Sequence, residues 1–156
     1  ALPAELKLIL ITNGSLIDRP SVQRGLSHMA KLNGEIWFKL DSVTQEGRLR
    51  INNTRMSLKK MHDNLKLAAS LCPTWIQTCV FAIDGILPSE REISAYLEFL
   101  YNMQQEGILL HGVLLYGLAR PSLQPEAPRL SRVPLEWLES FAAKIKELGL
   151  KVKVHP

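Results

Sequence analysis

Five apolar runs of strand length punctuate the chain: "LKLILIT" (6–12), "EIWFKLD" (35–41), "TWIQTCVFAI" (74–83), "ILLHGVLLYG" (108–117) and "LKVKV" (150–154). Between them the apolar residues recur at helical spacing instead. A chain that alternates these two periodicities buries both only by laying helices on a sheet. Crossover units of this length join neighbouring strands in parallel. The first run is apolar on both faces, as a fully buried parallel strand would be. The last run alternates with lysines and is expected at an edge. The expected fold is therefore α/β: an open, mostly parallel sheet of four βα units plus a short final strand.

Local signals place the helices. Asp18 is positioned to cap a helix with Pro20 in its first turn and Val22, Leu26, Met29 and Ala30 facing inward. After the second strand the chain reads as irregular up to Ser57. That serine caps a helix with Leu58, Met61, Leu65 and Ala68 on one side. Ser89 and Glu92 form a capping box ahead of Ile93, Leu97 and Leu100. A last helix buries Leu135, Leu138, Ala142 and Ile145 and stops at Gly149. The stretch from Arg120 to Pro134 has no periodicity, and loops of that length are often functional.

The 156 residues fit one domain, 1–156, with room for a core. At 46% hydrophobic and 22% charged, the composition excludes a disordered chain. No apolar run is long enough to span a bilayer, so no membrane contact is expected and the chain is assigned to the cytoplasm. The net charge of +4 is modest. Its local enrichments, "RLR" (48–50) and "KELGLKVK" (146–153), read as solvated helix ends, with nucleic-acid contact the weaker alternative. Cys72 and Cys79 match no zinc spacing and read as reduced, largely buried thiols. His28 and His62 fall on helix surfaces, and His111 reads as a packing residue within a strand. A nucleophile elbow, a glycine-rich phosphate loop and a His-Glu metal motif are all missing from the sequence.

In parallel α/β sheets, ligands bind beyond the carboxyl ends of the strands. Those ends read Thr12-Asn13-Gly14, then Lys39 with Asp41-Ser42, then Asp84-Gly85, then Tyr116 with Arg120 and Ser122. On the second strand Trp37, Lys39 and Asp41 share one face, and Ile36, Phe38 and Leu40 share the other. Helices take the apolar face. The mixed face is therefore expected to line a barrel interior or cleft, where Lys39 and Asp41 would neutralise each other. Gln77 and Cys79 make a similar, weaker pair on the third strand. Such a strip is either a structural ion pair or one that also touches a ligand.

Several segments, in order, resemble one family. "LILITNGSLI" resembles the fourth strand of radical S-adenosylmethionine (radical SAM) enzymes with its "TNG" turn. "WFKLDSVTQEGRLRINNTRMSLKKMHDNLKLAA" resembles the following strand and its "INRP" continuation. "TWIQTCVFAIDGILPSEREISAYLEFL" resembles the next strand and helix opening, and "LHGVLLYGLARPS" the sixth strand with its Arg-Pro exit. The subgroup most similar is the iron–sulfur oxidoreductases related to tRNA wyosine-synthesis enzymes.

The resemblance implies the second half of a partial (βα)6 barrel. Neither the cluster-binding CxxxCxxC nor the methionine-binding "GGEP" of that family is present. The implied parent is an oxidoreductase that uses S-adenosylmethionine and a [4Fe–4S] cluster to make a 5′-deoxyadenosyl radical. This chain is then expected to be a fragment without the cluster-binding half, holding no cofactor and inactive alone. Carried over by position, Asn13 sits at the turn that approaches the cofactor. Lys39 and Asp41 match the strand that contacts its ribose or carboxylate. Leu118 and Arg120 lie in the segment that passes the adenine. The implied partners are the missing amino-terminal half or a second copy, meeting the exposed sheet edge. The competing expectations are a non-catalytic α/β module for a protein or RNA partner and, last, a small nucleotide- or phosphate-binding enzyme.

Overall fold

A computed structural model describes residues 6–52, 54–118 and 125–156. Five strands form one sheet: β1 (Ile9–Thr12), β2 (Glu35–Lys39), β3 (Thr74–Cys79), β5 (Gly112–Tyr116) and β7 (Val152–His155). They lie in the order β1-β2-β3-β5-β7, every neighbouring pair parallel. The helices are α1 (Pro20–Lys31), α2 (Gln45–Asn52), α3 (Leu58–Leu71), α4 (Glu90–Gln105) and α5 (Leu135–Glu147). Two short strands, β4 (Ala82–Ile83) and β6 (Leu130–Ser131), pair antiparallel as a separate ribbon. The fold is thus α/β with an open, mostly parallel sheet, as the alternation of periodicities requires. Among the described residues, no helix is long and apolar enough to cross a membrane.

The register sorts side chains onto two unlike faces. Ile36, Phe38, Leu40, Ile76, Val113 and Leu115 are essentially sealed and form the core with Leu26, Leu65, Leu100 and Ile145 of the helices. Each such side chain contributes roughly 1.5–3 kcal/mol of hydrophobic stabilisation. The opposite face, where Ile11 lies beside Trp37 and Lys39 beside Gln77, faces away from that core. Ile9 and Ile11 are 43% and 52% exposed on it. At its amino-terminal end Glu35 accepts from Lys7 at 2.7 Å and from the Trp37 indole at 2.9 Å. Burial works to raise that carboxyl, but these donors outweigh it and hold it below the ordinary carboxylate range.

The boundaries depart from expectation at several points. The stretch read as irregular before Ser57 contains helix α2. Asp18 does not cap α1: its carboxylate pairs with Lys60 at 3.1 Å, and extended Arg19 occupies the cap position before Pro20. The third strand stops at Cys79, because Ala82 and Ile83 leave the sheet to pair with Ser131 and Leu130. The fourth begins at Gly112, so His111 lies outside it, exposed, with its ring 6.1 Å from that of Trp75. Ser57 caps α3 as expected, accepting from the Lys60 amide at 3.1 Å. The final strand does lie at an edge.

Candidate functional site

The carboxyl ends of the sheet strands gather the polar groups. After β1, Thr12 Oγ1 accepts from the Gly14 amide at 3.0 Å and Asn13 Oδ1 from the Ser15 amide at 3.0 Å, which folds the turn on itself. Gly14 has φ +74°, and a Cβ there would lie 2.2 Å from the Phe38 ring. No other residue meets both conditions. The buried Asn64 amide of α3 donates to the Gly14 carbonyl at 2.7 Å and locks the turn to the helix layer.

After β2 the chain carries the Lys39–Asp41 face. As expected, it points away from the helix-packed core: Lys39 is exposed and Asp41 half-buried, whereas Phe38 and Leu40 are sealed. The two do not pair with each other. Asp41 Oδ1 accepts from the Cys79 amide at 2.9 Å, and Oδ2 from Asn52 Nδ2 at 2.8 Å. The carboxylate thus stitches the end of β3 to the end of α2. Lys39 forms no ion pair among the described residues and stands with its charge unmatched. Gln77, its neighbour in register, has a buried Oε1 with no hydrogen-bond partner.

Sequence reasoning overlooked the role of Glu92. Ser89 does accept from the Glu92 amide at 3.2 Å, but the Glu92 carboxylate does not return the bond. It reaches the loop after β2, accepting from Ser42 Oγ at 2.7 Å and from the Thr44 hydroxyl. Thr44 in turn caps α2 through the Gly47 amide at 2.9 Å. The spacing signalled a local capping box; the acceptor was spent on a distant loop.

Two adjoining hollows open at this edge. One, of about 640 Å³, is bounded by Lys39, Asp41, Cys79, Leu118 and Arg129. The other, of about 310 Å³, is bounded by Thr12, Asn13, Lys39, Asp41, Arg48 and Asn52. Four of the five expected site residues, Asn13, Lys39, Asp41 and Leu118, therefore border the same pair of hollows. Arg120 and Ser122 lie outside the described residues. Across the wider opening, β4 and β6 are clasped by Arg129, whose Nε and Nη2 donate to the Asp84 carboxylate at 3.1 and 2.6 Å. The Arg129 hydrogen bond and charge hold the Asp84 carboxyl below its ordinary range.

The donor set does not fit an iron–sulfur cluster. Among the described residues no group of three or more His, Cys, Asp or Glu side chains is placed to hold a metal ion. Cys72 lies in the helix-covered core, donating to the Gly34 carbonyl at 3.4 Å, and Cys79 on the opposite face. Burial and then the Asp41 charge push the Cys79 thiol up to about 11, against a smaller pull from Lys39, so it is neutral near pH 7.

Comparison with known proteins gives structural likeness only. No family model matches the chain, and no curated protein matches it. Among solved structures it is similar to a radical SAM methyltransferase from Sphaerobacter thermophilus, at TM-score 0.66 and 15% identity over 94% of this chain. It is similar also to a domain of pyruvate-formate lyase-activating enzyme from Bacteroides vulgatus, at TM-score 0.66 and 13% identity over 95% of this chain. The chain spans 39% of the first protein's length and 80% of the second's. It has a radical SAM-like fold.

Proposed function

We propose that this chain is the carboxyl-terminal, cofactor-contacting part of a radical SAM domain whose cluster ligands lie outside these 156 residues, within the subgroup related to the tRNA wyosine-synthesis enzymes. The observation that carries it is the convergence of Asn13, Lys39, Asp41 and Leu118 on one pair of hollows at the carboxyl ends of the sheet face opposite the helix-packed core. Those are the positions that the family resemblance marks for S-adenosylmethionine. When bound, that cofactor and its cluster supply the radical chemistry. The residues here bind and orient. The Lys39 ammonium suits the cofactor's carboxylate or ribose oxygens. Asp41, held by two N–H donors, keeps further lone pairs for a ribose hydroxyl, and Leu118 offers an apolar wall to the adenine.

On the same reading, the exposed outer edge of β1 is covered by the strands that carry the cluster. Calorimetric titration of S-adenosylmethionine into a longer protein that joins this chain to the cluster-bearing half, with its cluster reconstituted, tests the assignment. Lys39→Ala is expected to weaken binding about tenfold, the worth of one charged hydrogen bond. Its thermal midpoint should not move, since Lys39 holds no other part of the protein. Equal affinity in wild type and variant would remove the role.

A further inference from the structure

Among the described residues, Arg48 is a buried cation whose guanidinium is only partly satisfied. It sits on α2 with only 8% of its surface exposed. Its Nη1 donates to the Met56 carbonyl, while Nε is buried without a partner. Among the described residues no carboxylate pairs with it. Asp41 is engaged by Cys79 and Asn52, and Glu92 by Ser42 and Thr44. Burying a cation without a counter-ion costs several kcal/mol, so the site is incomplete as it stands.

Arg48 borders the 310 Å³ hollow together with Thr12, Asn13, Lys39, Asn52 and Thr54. The one carboxylate there, Asp41, has an N–H donor on each oxygen, and two cations share the lining. One positive charge is left in surplus. The surrounding hydroxyl and amide groups add donors but no further anion.

We propose that this hollow is an oxyanion site, in which the Arg48 guanidinium holds a carboxylate or phosphate group of a bound small molecule. A planar fork of N–H groups matches the two oxygens of such a group, which a lysine at the same place would not. The assignment stands on the buried arginine and its hollow, and needs no iron–sulfur chemistry.

Titration with inorganic phosphate and with acetate, followed by the Arg48 Nε–Hε resonance in nitrogen–proton NMR, tests it. The resonance is expected to move saturably with one or both anions. In Arg48→Met the anion-dependent shifts of the Asn13 and Thr54 amides should weaken by about tenfold or more. Should Arg48→Met fail to fold, Arg48→Lys keeps the charge and loses the fork, and the wild-type resonance remains a direct readout. A wild-type Arg48 signal that ignores both anions, or amide shifts of equal strength in the variants, overturns the proposal. A final arm adds S-adenosylmethionine. If it displaces acetate, the oxyanion is the cofactor's own carboxylate; if both bind together, the substrate brings it. Absence of any response to S-adenosylmethionine in protein completed by the cluster-bearing half, with the acetate response intact, would count against the radical SAM reading and leave the oxyanion site standing.

Discussion

At Cys79 a single thiol reports on the whole inner face. Its ionisation is pushed from 9.0 to about 11 by burial and by Asp41, so the folded protein keeps the proton that the unfolded chain would lose. Its contribution to stability is complete below pH 9.0 and is lost as pH rises toward 11. Denaturant unfolding below 9.0 and near 11 should therefore show a steeper loss in wild type than in Cys79→Ala. Burial raises Tyr96, hydrogen-bonded to Thr78 at 2.6 Å, and Cys72 as well, and both contribute to the slope that remains. Asp41 carries two duties, and its removal must show both. Asp41→Ala leaves the Cys79 amide and Asn52 without acceptors and is expected to cost about 1–3 kcal/mol, read by the denaturation midpoint. The face on which Lys39 and Asp41 lie was legible from strict alternation. Their partners were not. Asp41 stands just past the end of β2, where it meets α2, a helix the alternation could not announce.

Helix α2 shows what periodicity misses. "QEGRLRIN" lacks an apolar stripe and has a glycine in its middle, so nothing in the sequence marks it as helical. It exists because of distant contacts: Thr44 caps it, Glu92 of α4 holds Thr44, and Gly47 lets it close on both. A Cβ at position 47 would stand 2.1 Å from Ser42 Oγ and 2.7 Å from Glu92 Oε1. Gly47→Ala, which helix propensity alone would favour, is therefore expected to destabilise the protein by about 1–3 kcal/mol on thermal or chemical unfolding. The helices with apolar stripes, α1, α3, α4 and α5, were legible for the same reason that α2 was not. The β4–β6 ribbon was illegible too: two-residue strands from separate loops carry no pattern, and only the tertiary fold brings them together.

The whole molecule is a sheet with its helices packed on one side; the other face is exposed along β1, while Trp75 and Leu114 at its middle are buried. Its strand order and parallel sense followed from the alternation of elements, while the exposure of the other face could only be seen in three dimensions. Ile9 and Ile11 lie on both that face and the outermost strand, where an unpaired backbone invites another strand. Light scattering of the isolated chain is expected to show concentration-dependent association that Ile11→Lys suppresses. A monodisperse wild-type monomer would argue that this edge is harmless. The β4–β6 ribbon has a different consequence. Its ionic closure, Arg129 on Asp84, lies half in water, with both side chains more than 50% exposed. Dissolved ions compete with such a contact, and protonation of Asp84 in acid would release it. Amide exchange at Asp84, whose N–H donates to the Arg129 carbonyl at 2.7 Å, should quicken with added salt while the sheet stays protected. The ribbon beside the opening is then fastened by a contact that salt and acid both loosen.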